Sequence, residues 1–392
     1  MCDRVLNENS SYLTEQLVTY IGNKRSLITF IDKGVSYVQS ELEKNKLNTF
    51  DVFSGSGIVS RYLKQFSKKQ YANDMETYAR IINECYLTNK AEIDLEKLCN
   101  LLEDVKEATQ KKVNRYLTKD YTAFKDAEKT PGFISEFYAP KNLYDIQFGE
   151  RCFYTPYNAC YIDCARQTIS KKVPEELQKF FIAPLLSEAS VHANTGGVFK
   201  GFYKNSKTGI GKFGGNGSDA LSRIQGKIEL KLPVLSRYKS QVTVYQSDAN
   251  ALVASHQSPH VDVAYIDPPY NQHPYGSNYF MLNLIAEYKK PKEEIMSRVS
   301  GIPSTWNRSD YNYKKRTKET FTNLVENIDS SYLLISFNNE GFIREDEMLD
   351  ILHKIGHVKV LERKYNTYRA SRNLKERTLH TKEYLYVVKK HD

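Results

Sequence analysis

Four consecutive residues carry the densest chemistry in this sequence. They are Asp267, Pro268, Pro269 and Tyr270, directly after the apolar run VDVAYI at 261–266. The prolines have no N–H, so the backbone there presents carbonyl oxygens. A carboxylate oxygen and a neighbouring carbonyl together accept both hydrogens of an –NH2 group. A tyrosine ring beside them stacks on the planar heterocycle that carries such an amine. An exocyclic ring amine is a poor nucleophile, because its lone pair is delocalised. Hydrogen bonds to both N–H groups favour a pyramidal nitrogen and stabilise the charge that develops during attack. In a purely structural role, Asp267 would end a strand and the prolines would stiffen a loop.

A second constellation lies far upstream. In DVFSGSGIVSRYL (51–63), Gly55 and Gly57 stand between a strand-like and a helix-like run. Glycines there permit a tight turn and a close approach to a ligand, and the helix start offers free N–H groups. Asp74 ends the next strand-like run, where a carboxylate binds both hydroxyls of a ribose. Together these residues read as a nucleoside-cofactor site. Position 60 is Ser where the dinucleotide fingerprint has its third glycine, which argues against NAD and its pyrophosphate.

Both constellations need strands to hold them. The runs FDVFS (50–54), KQYANDM (69–75), VTVYQSD (242–248), VDVAYID (261–267), YLLISFN (332–338), HVKVLERKY (357–365) and EYLYVVKK (383–390) supply seven. Their near-continuous apolar character predicts strands buried on both faces. Helical patterns between them, such as VSRYLKQF (59–66), predict a doubly wound α/β sheet. The spacing is uneven, which divides the chain into 1–100 and 241–392 as two parts of one sheet domain, with 101–240 as an insertion. Within the insertion, 193–218 is rich in Gly, Asn, Ser and Lys, a composition of mobile loops.

Lys and Arg number 56 against 47 Asp and Glu, a net charge of +9 that favours a polyanionic partner. The six cysteines form no C-x-x-C pair, and Cys160 and Cys164 have no nearby His, so no metal site is expected. The polar start MCDRVLNENSSYLTEQ and the lack of a long apolar run point to a cytoplasmic protein with reduced thiols.

Four stretches in this order resemble the Dam-like, alpha-group DNA adenine methyltransferases, which use S-adenosylmethionine: YIGNKRSL (20–27), DVFSGSG (51–57), ANDM (72–75) and DPPY (267–270). The resemblance covers roughly 1–90 and 241–392. It implies a class I methyltransferase fold, a Rossmann-like seven-stranded mixed sheet with one antiparallel strand near its edge, here EYLYVVKK. It implies that Tyr20 and Lys24 line the cofactor pocket, with Lys24 near the cofactor's carboxylate. Phe53 would pack beside the cofactor, Asp74 would hold the ribose, and Asp248 would contact the adenine or else cap a helix. Asp267 would bind the target amine and Tyr270 would stack on a flipped adenine. Asn23 stands where such enzymes often carry a second glycine.

The partner so implied is double-stranded DNA, with a cognate restriction endonuclease as the expected setting. After DPPY, His273, Tyr275, Asn278 and Tyr279 are candidates for a loop closing over the extruded base. Lys314 and Arg316 in NYKKRTK, and Arg369 and Arg372 in RKYNTYRASRNLKER, are candidates for phosphate contacts. Sequence readout falls to 101–240, with Lys200, Tyr203, Lys204, Asn205, Lys207 and Lys212 as candidates. The same amine clamp would serve cytosine N4, an RNA base or a protein glutamine, and a catalytically silent DNA-binding relative is a further alternative. Asp at the head of the motif, rather than Ser or Asn, resembles the adenine enzymes.

Overall fold

The structure, a computed structural model, describes residues 8, 10–215, 220–255, 257–270, 272, 274–366 and 380–391. Seven strands form one sheet: β1 (Leu47–Asp51), β2 (Ser67–Asp74), β3 (Gln241–Gln246), β4 (Val261–Ile266), β5 (Ser330–Asn338), β6 (Gly356–Asn366) and β7 (His380–Lys390). Their order is β3-β2-β1-β4-β5-β7-β6. Neighbours pair in parallel except β7, which runs antiparallel to both β5 and β6. The expected antiparallel strand is therefore EYLYVVKK, one place in from the edge.

Burial explains the order. Every residue of β4 is buried, and from Val263 to Ile266 its side chains alternate between two cores. Val263 and Tyr265 face helices Ile28–Glu41 and Ile58–Leu63, through Ile31, Val35, Val59 and Tyr62. Ala264 and Ile266 face the other layer, through Leu252, Phe321, Leu324 and Leu352. A strand covered on both sides can afford no polar alternation. Truncating such a residue, for example Ile266→Ala, costs about 2–5 kcal/mol. The expectation of two-sided burial fails at the edges. β3 alternates between exposed and half-buried residues, and most of β6 is exposed, because edge strands lack covering layers on one or both faces. β1 also starts earlier than FDVFS suggested, since Val52–Gly57 already belongs to the turn.

The chain between β2 and β3 adds no described strand to the sheet. Helices Leu95–Tyr116, Pro156–Lys172 and Glu175–Val191 pack with Thr77–Tyr86 and Phe280–Glu287 in one continuous core. That core joins Val105, Ile162 and Leu186 to Tyr78, Ile82, Met281 and Ile285. Two buried charges fasten the joint. Arg166 donates from Nε to Ile285 O at 2.7 Å and from Nη2 to Ala286 O at 3.1 Å, which satisfies carbonyls at the end of helix Phe280–Glu287. Asp163 accepts from Ser135 N at 2.8 Å, Ser135 Oγ at 2.7 Å and Tyr288 Oη at 2.8 Å. Burial pushes its carboxyl up to about 6 against these hydrogen bonds, which pull it down. No described helix is long and apolar enough to cross a membrane.

Candidate active site

The sheet's direction of growth reverses between β1 and β4. From β1 the chain continues to β2 on one side, whereas β4 sits on the other. Loops leaving the carboxyl ends of two such strands diverge and open a crevice. Asp51 of β1 pairs with Tyr265 of β4, so the glycine turn and DPPY start side by side although more than two hundred residues separate them.

The turn after β1 requires its glycines. Gly55 and Gly57 have φ of +48° and +76°. A Cβ on Gly55 would lie 2.8 Å from Cε1 of Tyr20. Asp74, at the end of β2, holds the turn from below. Its Oδ2 accepts Gly55 N–H at 2.8 Å and its Oδ1 accepts Glu76 N–H at 2.9 Å. Burial raises its carboxyl to about 6, and these backbone donors oppose the rise.

Asp267 is held differently. The Lys24 ammonium lies 3.0 Å from its Oδ1 and 3.2 Å from Oε1 of Glu383. Distance makes the first contact a full ion pair. Among the described residues, Oδ1 of Asp267 accepts no backbone N–H. Burial raises Asp267 to about 6, Lys24 pulls it down, and Glu383 pushes it up. Burial also opposes the charge on Lys24, but Asp267, Tyr270 and Glu383 hold its pKa well above that of an ordinary lysine. The Tyr270 ring leans on Phe337 at 5.5 Å between centroids, with Lys24 Nζ 5.5 Å from its centre. Tyr270 O accepts Phe342 N–H at 3.2 Å, which ties the DPPY loop to the segment after β5.

An aromatic wall closes one side. The rings of Tyr20, Tyr275 and Tyr279 lie nearly parallel, with centroids 5.0 Å apart for Tyr20–Tyr275 and 4.7 Å for Tyr20–Tyr279. Tyr275 Oη donates to Ile21 O, and Ile21 N–H donates to Tyr279 Oη. Phe53 stands edge-on to Tyr311 at 5.2 Å. Asp248 accepts Ala251 N–H at 3.0 Å as the cap of helix Ala249–Ala254, and also lines the cleft.

The resulting cleft has a volume of ≈ 860 Å³ counted to its open mouth. Tyr20, Lys24, Phe53, Gly55, Asp74, Asp248, Asp267 and Pro269 all line it. Gly57 and Pro268 shape its walls without lining it, and Tyr270 backs it. Sequence reasoning missed Asp51, Glu76 and Asn307, which line it too. Asp51 donates no obvious motif signal beyond its place before the glycine turn. Burial raises it to about 7, against a 2.6 Å hydrogen bond from Ser60 Oγ. Glu76, also raised to about 7 by burial, takes the side-chain amides of Asn283 and Asn307. Asn307 arrives from a loop between β4 and β5 that no local pattern announces. Among the described lining residues, five carboxylates face a single ammonium, that of Lys24.

Of the residues expected in a loop closing over the base, Tyr275 is part of the cleft wall. Asn278 is only 2% exposed, and its carbonyl accepts Phe199 N–H at 2.7 Å, binding the insertion to the segment after DPPY. Lys200, Lys204, Asn205 and Lys207 are exposed on the insertion, with Tyr203 and Lys212 half-buried. Lys204 and Gly211 bridge, and Asn205 Oδ1 caps the turn by accepting Lys207 N–H at 2.9 Å. Lys314 and Arg316 are exposed at the start of helix Lys314–Asn327, with Arg316 paired to Asp310 at 2.8 Å. His273, Arg369 and Arg372 lie outside the described residues.

Residues 20–351 match the family model for D12 class N6 adenine-specific DNA methyltransferases. The chain belongs to that family. The match begins at the first residue of the aromatic wall and spans both constellations. Among curated proteins, this methyltransferase is 28% identical over 382 residues to the Type II methyltransferase M.NlaIII of Neisseria lactamica, covering 95% of this chain and 99% of that one. It is 26% identical to the Type II methyltransferase M.CviAII of Paramecium bursaria Chlorella virus 1, over 90% of this chain and 93% of that one. It is likewise 26% identical to the Type II methyltransferase M.FokI of Planomicrobium okeanokoites, covering 95% of this chain but 52% of the relative. The family and the α/β fold agree with the resemblance carried by the four motifs.

Proposed function

We propose that the methyl donor is S-adenosylmethionine, and that the acceptor is an adenine flipped out of double-stranded DNA. The acidity of the cleft supports the donor. Five acidic side chains outnumber the one ammonium, and even with Asp51 and Glu76 raised to about 7 they suit a ligand with a positively charged centre; the Gly55 turn leaves backbone room where a Cβ would intrude. When bound, the cofactor supplies a methyl group on a sulfonium, open to direct displacement. In this reading Asp74 and Asp248 take its nucleoside hydroxyl and amine donors, and Phe53 packs beside it.

The carrying observation is Asp267 itself, a strand-end carboxylate that lines the cleft, is held at Oδ1 by Lys24 and has a side chain still 17% exposed. It accepts one N–H of the adenine amine while a carbonyl of the Pro268–Pro269 segment accepts the other. Tyr270 stacks on the base. These contacts localise the nitrogen lone pair and would orient it toward the methyl group of a bound donor, whose thioether would be the leaving group. The proton then leaves to water, because a methylated ring ammonium is acidic. The net charge and the exposed lysines of 200–207 provide for DNA phosphates, and 101–240 for sequence readout. A cognate endonuclease acting on the same site and a cytoplasmic setting complete this reading.

The test incubates purified protein with S-adenosylmethionine and unmethylated DNA, then digests the DNA and identifies methylated nucleosides by mass spectrometry. N6-methyladenine should appear with the intact protein and vanish with Asp267→Ala. Cofactor binding by the variant is checked through Trp306, the sole tryptophan, which adjoins the cleft residue Asn307. Methylcytosine as the product would overturn the acceptor.

A further inference from the structure

Glu383 belongs to none of the four motifs and lies outside the cleft, yet it contacts the one ammonium inside it. It sits on β7 opposite Asn338 and is 4% exposed. A buried carboxylate at that depth is costly unless paired. Its Oε1 accepts Ser336 Oγ–H at 3.0 Å and lies 3.2 Å from Lys24 Nζ. Lys24 is itself 3% exposed, so one buried cation is shared between the buried Glu383 and the part-exposed Asp267. The sharing matters for Asp267. An ammonium committed wholly to Asp267 would neutralise it and crowd the carboxylate that the target amine needs. With no ammonium nearby, burial would protonate Asp267 and remove it as an acceptor.

We infer that Glu383 is a positioning residue for methyl transfer: it draws Lys24 partly away from Asp267, keeping Asp267 charged and yet open to the amine. The inference rests on Asp267 being the amine acceptor. Glu383 also anchors the segment 20–24, which contributes five residues to the cleft wall.

The deciding variant is Glu383→Gln, which keeps the shape and can still accept the Ser336 hydroxyl but removes the charge. The groups facing Asp267 are Lys24, Glu383, Asp51, Tyr265, Tyr270 and Tyr275. Only Glu383 changes in the variant. Single-turnover methylation should fall about tenfold, because Lys24 then closes on Asp267. The acid limb of its pH profile should move down by roughly one unit, because a negative neighbour of Asp267 is lost. Lys24→Met should move the limb upward. In cofactor-free protein, the pH-dependent step in denaturant stability that Asp267→Asn removes should shift downward in Glu383→Gln as well. A limb and a stability step that stay in place, with only the melting temperature reduced, would make Glu383 a purely structural residue and overturn the inference. Full activity in Asp267→Ala would instead sink the reading of Asp267 on which the inference depends.

Discussion

Asp74 and Asp267 end neighbouring parts of the same crevice, and burial raises both to about 6. They are nonetheless satisfied in opposite ways. Asp74 gives both oxygens to backbone N–H groups of Gly55 and Glu76, so its charge builds the turn. Oδ1 of Asp267 meets the side-chain charge of Lys24 and, among the described residues, no backbone N–H. Backbone donors are fixed by the fold, whereas a lysine ammonium can move by rotating its stem. The Asp74 side of the cleft is thus built by hydrogen bonds that persist, and the Asp267 side by a charge that can yield to a ligand.

The contrast breaks most visibly in activity. Asp267→Asn should reduce methyl transfer roughly 10³-fold, since its amide turns a donor toward the target amine. Cofactor affinity, followed through Trp306 fluorescence, should change little. Comparable turnover in this variant would erase the distinction between the two acids.

Stability should respond next, and to the other residue. Asp74→Asn keeps the size but offers one acceptor to two backbone N–H groups. Leaving a buried donor unpaired costs about 1–3 kcal/mol, measurable by denaturant titration at neutral pH. A variant as stable as the parent would mean that the turn is not held by Asp74.

A smaller effect follows from pH. The folded pKa of Asp267 is about 6, above the ordinary value of 3.8. For a raised acid, the folded state binds a proton that the unfolded state releases. The resulting stability is complete below the ordinary value and is lost as pH rises through about 6. Asp267→Asn stays neutral throughout, so its stability relative to the parent should improve between about pH 4 and pH 6. The gain should be ~1 kcal/mol after allowance for partial exposure and for the partner Lys24. The inactive variant would then be the more stable protein at neutral pH. A constant difference across that range would place the charge of Asp267 in an unstrained site.

The smallest expected change lies outside the crevice. Lys207→Ala removes one exposed cation from the insertion. DNA affinity should fall roughly two- to threefold, and the salt dependence of binding should lose about one unit of slope if a phosphate contact is lost. An unchanged slope would move the DNA surface away from 200–207.

Much of this was legible because it depends on local chemistry. Prolines after an acid present carbonyls wherever they stand, and two glycines between a strand and a helix mark a tight turn. The central strands announced themselves because both their faces are covered. β3 and β6 were misjudged in burial, since an edge position is a property of the assembled sheet and not of the run itself.

What the sequence determined by itself was the chemistry of each motif and the family to which the chain belongs. Only the tertiary structure decided which groups meet. Strand order brings Asp51 beside Tyr265, and it hands Lys24 to Asp267 and Glu383. It places Asn307 against Glu76 and turns Tyr275 and Asn278 inward. These pairs lie tens to hundreds of residues apart. A buried charge must find its partner through space, and spacing along the chain carries no record of which partner that is.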